Sequence, residues 1–203
     1  KRMKRTRKVV AGVPVRLAHA GSSTALKSDP AGFAIVDEYD EMLANVKGQG
    51  DPLGLIEARG DTYAEFTTAI VSTCSTGVVD TEVVEVSGLE FWKPGDPDEI
   101  ESPIWKLWQE GTRYHWAWPC AHCGEYFIPR MKYLRWPERA TPAQAKRATV
   151  LICPRCGGVH EDAEHKAAMN ARGVPVAPGM RVDRDGRIYG EPPESSTWSM
   201  WTS

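Results

Sequence analysis

Phe33-Ala34-Ile35-Val36-Asp37-Glu38 sets four apolar residues ahead of two acids, and the fold class follows from how that string is read. A short apolar run that ends abruptly in charge is the pattern of an interior strand in a parallel sheet, covered on both faces. Working outward, residues 37–46 have a helical pattern. Asp51-Pro52 then supplies an N-cap with proline at the first helical position, and residues 67–71 form a second buried strand. Upstream, residues 9–20 read as extended chain folded about a Gly12-Val13-Pro14 turn. Strand, helix, helix, strand is the order a parallel α/β sheet requires.

The second half has a different character. All 8 tryptophans fall at or after Trp92, and so do four of the 5 cysteines, which places a boundary near residues 88–97. The prolines of Lys93-Pro94-Gly95-Asp96-Pro97-Asp98 cannot continue a helix or a central strand. Beyond it, Ser102-Pro103 opens a short helix carrying Ile104, Trp105, Leu107 and Trp108, and Tyr114, Trp116 and Trp118 alternate as in a strand. Residues 162–172 read as a helix closed by Gly173, and Asp185-Gly186 between Arg184 and Arg187 reads as a type I′ hairpin.

Composition narrows the class. A chain of 203 residues with 41% apolar and 26% charged residues is neither collagenous nor wholly disordered, and it has no apolar run long enough to span a bilayer. Five cysteines are too few for a secreted disulfide scaffold, and no signal segment opens the chain, so an intracellular setting is expected. The net charge of -2 argues against a surface coated in nucleic-acid-binding charge. Basic charge is instead concentrated at Lys1-Arg2-Met3-Lys4-Arg5-Thr6-Arg7-Lys8, either a solvated end or a phosphate-contacting segment.

The strongest local signal is Cys120-Ala121-His122-Cys123-Gly124 followed by Cys153-Pro154-Arg155-Cys156-Gly157. Each CxxC turn offers two sulfurs, and the glycine after it lets the backbone fold so that amides face sulfur. Two such turns close a tetrahedron of thiolates that suits Zn²⁺, and the strand-like residues 114–119 and 150–152 before them give the frame of a zinc ribbon. Two unrelated, redox-active CxxC pairs are the alternative. His122 and His160 are close enough in sequence to replace a thiolate, but four cysteines already fill the shell, which marks the site as structural. Cys74 stands apart as a small buried apolar residue.

Residues 33–38 also have the form of a Walker B motif, in which Asp37 would hold Mg²⁺ and Glu38 would deprotonate the attacking water. An acid-rich helix N-terminus after an apolar strand is the alternative. Gly21-Ser22-Ser23-Thr24-Ala25-Leu26-Lys27-Ser28 approaches a phosphate loop but puts Leu26 where glycine must bend round phosphate, and Asp29-Pro30 would break the following helix. It is not a phosphate loop. Ala69-Ile70-Val71-Ser72-Thr73 ends a strand in hydroxyls, at the position where a polar group beside Walker B senses the γ-phosphate, or simply runs into a Ser/Thr loop.

Taken in order, these pieces resemble the large subunit of tailed-phage DNA-packaging terminase, of the lambda-like kind. The resemblance is carried by residues 18–28, Ile35-Val36-Asp37-Glu38-Tyr39-Asp40-Glu41-Met42, Asp51-Pro52-Leu53 with Glu57-Ala58-Arg59, and Val71-Ser72-Thr73. It continues through Trp118-Pro119-Cys120-Ala121-His122-Cys123-Gly124, Leu134-Arg135-Trp136 and Cys153-Pro154-Arg155-Cys156-Gly157. It implies that Asp37 holds Mg²⁺ with ATP, that Glu38 is the catalytic carboxylate, and that Ser72 and Thr73 couple hydrolysis to DNA movement. Cys74 stands where the family pattern leads one to expect proline.

The resulting expectation is an α/β chain in which residues 1–90 are the Walker B half of a P-loop-type, parallel-sheet ATPase core. Residues 91–190 are a small zinc-ribbon-like module, with Cys120, Cys123, Cys153 and Cys156 as ligands, and residues 191–203 lead toward a nuclease domain. The chain reads as an internal portion whose phosphate loop lies upstream. The resemblance implies double-stranded DNA, a small terminase subunit and a portal-bearing procapsid as partners, a homo-oligomeric motor, no membrane, and action in the host cell cytoplasm at the portal. The alternative is a non-catalytic, zinc-dependent module for nucleic-acid binding or assembly.

Overall fold

The computed structural model describes residues 6–27 and 30–202. Most of the basic run before Thr6, together with Ser28 and Asp29, lies outside the described residues. The chain divides into two compact units, Lys1–Thr76 with Ser102–Ile104, and Gly77–Glu101 with Trp105–Ser203. The division comes ahead of residues 88–97, because that stretch packs within the second unit.

The first unit begins with β1 (Arg7–Val10) and β2 (Val13–Arg16), an antiparallel pair. Their turn lies at Ala11-Gly12 rather than at residues 12–14. Both turn residues have positive φ, 48° and 83°, which matches the twist of a two-residue hairpin, while Pro14 pairs with Val9 inside the ladder. The short helix α1 (Ser23–Lys27) buries Leu26, so the residue that disqualifies a phosphate loop is a core residue.

β3 (Phe33–Asp37) and β4 (Thr67–Val71) run parallel, with Phe33 opposite Thr67 and Asp37 opposite Val71. Between them lies α2 (Pro52–Glu57), whose N-cap Asp51 accepts the amides of Leu53 and Gly54 at 3.0 and 2.7 Å. Leu53, Leu55 and Ile56 of α2 are buried, as are Val36 and Tyr39. The strands are not covered on both faces as expected: Val36 is 2% exposed but Ile35 is 72% exposed. Residues of alternate strand positions face opposite ways, and within this unit only one face carries packing.

The expected helix over 37–46 is also absent. Glu38 is left-handed (φ 54°, ψ 47°), a single 3₁₀ turn covers Tyr39–Glu41, and Met42 returns to extended backbone. The side chain of Asp40 is engaged by distant residues, described below, and this holds the segment in a turn.

The second unit is built of small sheets. β5 (Thr81–Val84) and β6 (Leu89–Trp92) form a hairpin, and α3 (Pro103–Glu110) follows, extending across the division after Ile104. β7 (Tyr114–Pro119) pairs with β8 (Tyr126–Phe127) across the first CxxC turn. β9 (Leu134–Arg135) precedes α4 (Pro142–Ala148), whose Thr141 and Gln144 form a capping box. β10 (Val150–Ile152) pairs with both β9 and β11 (Val159–Glu161), the latter across the second CxxC turn.

A π turn over Asp162–Lys166 then leads into α5 (Ala167–Ala171), so the helix expected over 162–172 is split in two. β12 (Val174–Val176) pairs antiparallel with β7. β13 (Arg181–Val182) and β14 (Ile188–Tyr189) form the expected hairpin, but through a five-residue loop rather than a type I′ turn. The Asp183 carboxylate closes that loop by accepting the amides of Asp185 and Arg187 at 3.0 and 2.9 Å. β15 (Met200–Trp201) pairs parallel with β7, so the end of the described chain belongs to this unit's sheet.

Apolar clusters among the described residues hold the second unit. Leu89, Phe91, Ala117, Tyr126, Ile128 and Val176 form one; Cys120, Phe127, Leu151, Cys153 and Met169 form another. Tyr126 and Phe127 are neighbours on β8 and point to opposite faces, which links the two clusters. Among the described residues no helix is long and apolar enough to cross a membrane.

Candidate functional site

In the first unit, the parallel pairing of β3 with β4 brings Asp37 beside Val71, so that Glu38 and Ser72 follow at the same edge. Asp37 and Glu38 are both exposed. Glu38 sits in a sparsely populated backbone region, at a cost of about 1–3 kcal/mol for a non-glycine residue, and it makes no side-chain capping bond. Exposed carboxylate oxygens at a strand end are hard donors of the kind Mg²⁺ prefers. The sequence contains no GxxxxGK[ST] string to cradle phosphates.

Asp40 organises this edge, although the sequence gives no reason to prefer it over the neighbouring acids. Its amide donates to Ser72 Oγ at 2.9 Å. One carboxylate oxygen accepts from the amide and hydroxyl of Ser75, both at 2.8 Å. The other accepts from the Ser102 hydroxyl at 2.7 Å and the Ile104 amide at 3.0 Å. Burial pushes this carboxyl upward, but the donors from Ser75, Ile104 and Ser102 outweigh it and hold Asp40 below its ordinary value. Ser72 is thus tied to the acidic turn, whereas Thr73 is exposed. Tyr39, buried and bonded to Asp51 at 3.3 Å, is raised to about 12 by burial and that carboxylate. Cys74 is partly buried, and burial raises its thiol.

In the second unit, the two CxxC turns share one backbone geometry. Gly124 N–H donates to Cys120 O at 2.9 Å and Cys120 N–H to Glu125 O at 2.9 Å; Gly157 to Cys153 and Cys153 to Gly158 repeat this at 3.0 and 2.9 Å. Gly124 and Gly157 have φ of 76° and 73°, which explains the glycine after each second cysteine. Amides aim at sulfur: His122 and Cys123 donate to Cys120 Sγ, Arg155 to Cys153 Sγ and Gly158 to Cys156 Sγ, at 3.3 to 3.4 Å.

All four Sγ atoms lie within 4.8 Å of one another, and none forms a disulfide. The Cys120 to Cys156 separation of 3.7 Å matches the edge of about 3.8 Å in a zinc–thiolate tetrahedron. Burial raises the thiols of Cys120, Cys123 and Cys153, whereas the Gly158 amide brings Cys156 down to about 7. Four converging thiols with N–H···S bonds are a donor set that fits Zn²⁺ and leaves no open coordination position. His160 Nε2 lies 3.4 Å from Cys120 Sγ, behind the ligand rather than in its place.

Two buried polar features accompany this site. Glu90 accepts from Thr81, Lys132 and Tyr133, and Arg130 donates to its backbone oxygen at 2.8 Å while stacking over Trp92. His115 is fully buried; its Nδ1–H donates to Arg113 O at 3.1 Å and its Nε2 accepts from Trp92 N–H at 3.3 Å. Burial first, then the Arg130 charge, lowers His115 to about 3, so it is a neutral core group.

A parallel strand pair ending in acids and hydroxyls, joined in one chain to a four-thiolate module, is a mixed α/β structure with a metal-binding cluster, consistent with an ATPase domain that carries a metal-binding element. The family model described as "Phage terminase large subunit gpA, ATPase domain" matches residues 1–174. The chain therefore belongs to that family. No curated protein and no solved structure gives a significant match.

Proposed function

We propose that this chain is the Walker B and coupling portion of a viral DNA-packaging motor, the terminase large subunit. Asp37 would hold Mg²⁺, which neutralises charge on the transferred phosphate of ATP. Glu38 would orient the attacking water and take its proton. Ser72 and Thr73 would relay the state of the β3 edge to the segment after β4. The four cysteines would hold structural Zn²⁺.

The observation that carries this reading is the shared edge: Asp37 opposite Val71, and Ser72 Oγ accepting the Asp40 amide at 2.9 Å. A group that changes at the acids is thereby one hydrogen bond from the β4 loop. The partners of that motor would be double-stranded DNA, a small terminase subunit and the portal of a procapsid in the host cytoplasm, with the large subunit as a homo-oligomer. Cleavage of DNA would belong to a nuclease domain beyond these residues.

ATP turnover by the terminase large subunit carrying this sequence tests the reading. Glu38→Gln should lower kcat by two orders of magnitude or more while nucleotide binding persists. Turnover unchanged in both Glu38→Gln and Asp37→Asn would favour the alternative, a non-catalytic zinc-dependent assembly or nucleic-acid-binding module.

A further inference from the structure

A second set of metal-ligand side chains lies beside the thiolates and is not used by them. His122 comes from the first CxxC turn, His160 from β11 and His165 from the π turn. One ring nitrogen of each lies within 4.8 Å of one from each of the others, and the ring centroids are 4.9, 5.4 and 5.7 Å apart.

The hydrogen bonds preset two of the three rings. His122 Nε2 lies 2.8 Å from Val159 O, so it carries the proton and leaves a lone pair on Nδ1. His160 Nε2 faces Cys120 Sγ, and its Nδ1 is buried without a partner in a residue only 3% exposed. Such an orphaned acceptor is destabilising unless something binds it. His165 Nδ1 accepts the Glu161 amide at 3.2 Å, a long bond that coordination at that nitrogen would replace.

Two further features hold the cluster. A Cβ at Gly158 would stand 2.4 Å from His122 Cδ2, so only glycine there lets the first turn's histidine lie across the second turn. His165 is presented by a π turn, a rare element that recurs at functional sites.

We propose that His122, His160 and His165 bind a second divalent transition ion of the zinc class, distinct from the ion of the four cysteines. Among the described residues the cluster comprises these three imidazoles, and the exposed Glu164 carboxylate lies 4.0 Å from His165 Nδ1, so a fourth position is left for water or a small anion, unlike the closed thiolate shell. Binding would draw the ring nitrogens to about 3.4 Å apart. The exposed His122 and half-buried His165 have room to make that movement.

Zinc content of the 203-residue chain, equilibrated with Zn²⁺ and freed of excess, is the test, together with the absorption of the Co²⁺-loaded chain. Two ions per chain are expected. His122→Ala with His165→Ala should bind one ion and keep the sulfur-to-cobalt charge-transfer band. If the four-cysteine reading fails instead, the chain will bind one ion, lost in the histidine variant, with no such band. Equal metal content in both chains overturns the proposal. Addition of a second zinc equivalent to the unaltered chain should also shift the Nδ1 resonances of His122 and His160 in ¹⁵N spectra. Unmoved resonances overturn the proposal without recourse to any variant.

Discussion

Ser72 Oγ accepts the backbone N–H of Asp40 at 2.9 Å, so the loop that leaves β4 caps the turn that leaves β3. The first amides of a helical turn have no internal partner, and here a side chain 32 residues away supplies one. Two segments that would otherwise move separately share a hydrogen bond at the edge where Asp37 ends its strand.

Asp40→Ala should destabilise the first unit by about 2–4 kcal/mol, because the two serine residues, the Ile104 amide and the short turn all lose their common acceptor. Amide hydrogen exchange across β3 and β4, compared between the parent and the variant, reads it out. The Asp40 carboxyl is held below its ordinary 3.8, so its contribution is complete above that pH and is lost as pH falls through the lowered value. An Asp40→Ala chain as stable as its parent at neutral pH would remove Asp40 from its organising role.

Cys153→Ser should weaken the sulfur-to-cobalt charge-transfer band at the four-cysteine site, where three thiolates remain, and loosen the cluster of Cys120, Phe127, Leu151 and Met169 that packs with Cys153. Chelators should act in the same direction, and so should acid, since thiolates must be deprotonated to bind. A chain with unchanged thermal unfolding after complete metal removal would contradict the structural role.

His115 gives the second unit a pH dependence of determined sign. Its value falls from 6.5 in the unfolded chain to about 3 in the folded one, so below pH 6.5 the unfolded state binds more protons. Stability should decrease as pH drops from 6.5 toward 3, by roughly 2 kcal/mol at pH 5 from this group. Denaturation of a His115→Gln chain should show a shallower slope in that window. Identical slopes would show that His115 is not neutral and buried.

Gly173→Ala should cost the second unit about 1–3 kcal/mol. Its Cβ would sit 2.4 Å from Trp116 Nε1, which donates to Asn170 Oδ1 at 2.9 Å, as does Trp118 at 3.2 Å. Thermal unfolding and the near-ultraviolet tryptophan signal report the change; a neutral substitution would contradict the close packing of α5 against β7.

What the sequence made legible was what local chemistry decides. The Asp51-Pro52 cap, the apolar runs of β3 and β4, and the two Cys-x-x-Cys-Gly turns each need only a few adjacent residues to specify them. Asp40 was hidden because four acids lie within Asp37-Glu38-Tyr39-Asp40-Glu41, and its partners at Ser72, Ser75, Ser102 and Ile104 come from far along the chain. The helix expected over 37–46 failed for the same reason, as those contacts outweigh local propensity. His115 was masked by the aromatic alternation around it. His165 lies outside both CxxC strings, and only the antiparallel pairing of β10 with β11 and the π turn bring it to His122 and His160.

The proposed function requires that the ends of β3 and β4 work as one catalytic and coupling unit. The most direct measurement is the length of DNA moved per ATP hydrolysed by a terminase motor carrying Ser72→Ala. ATP hydrolysis within a fewfold of the parent and a large loss of DNA moved per ATP are expected. Equal DNA movement per ATP in the two motors would contradict the proposed function.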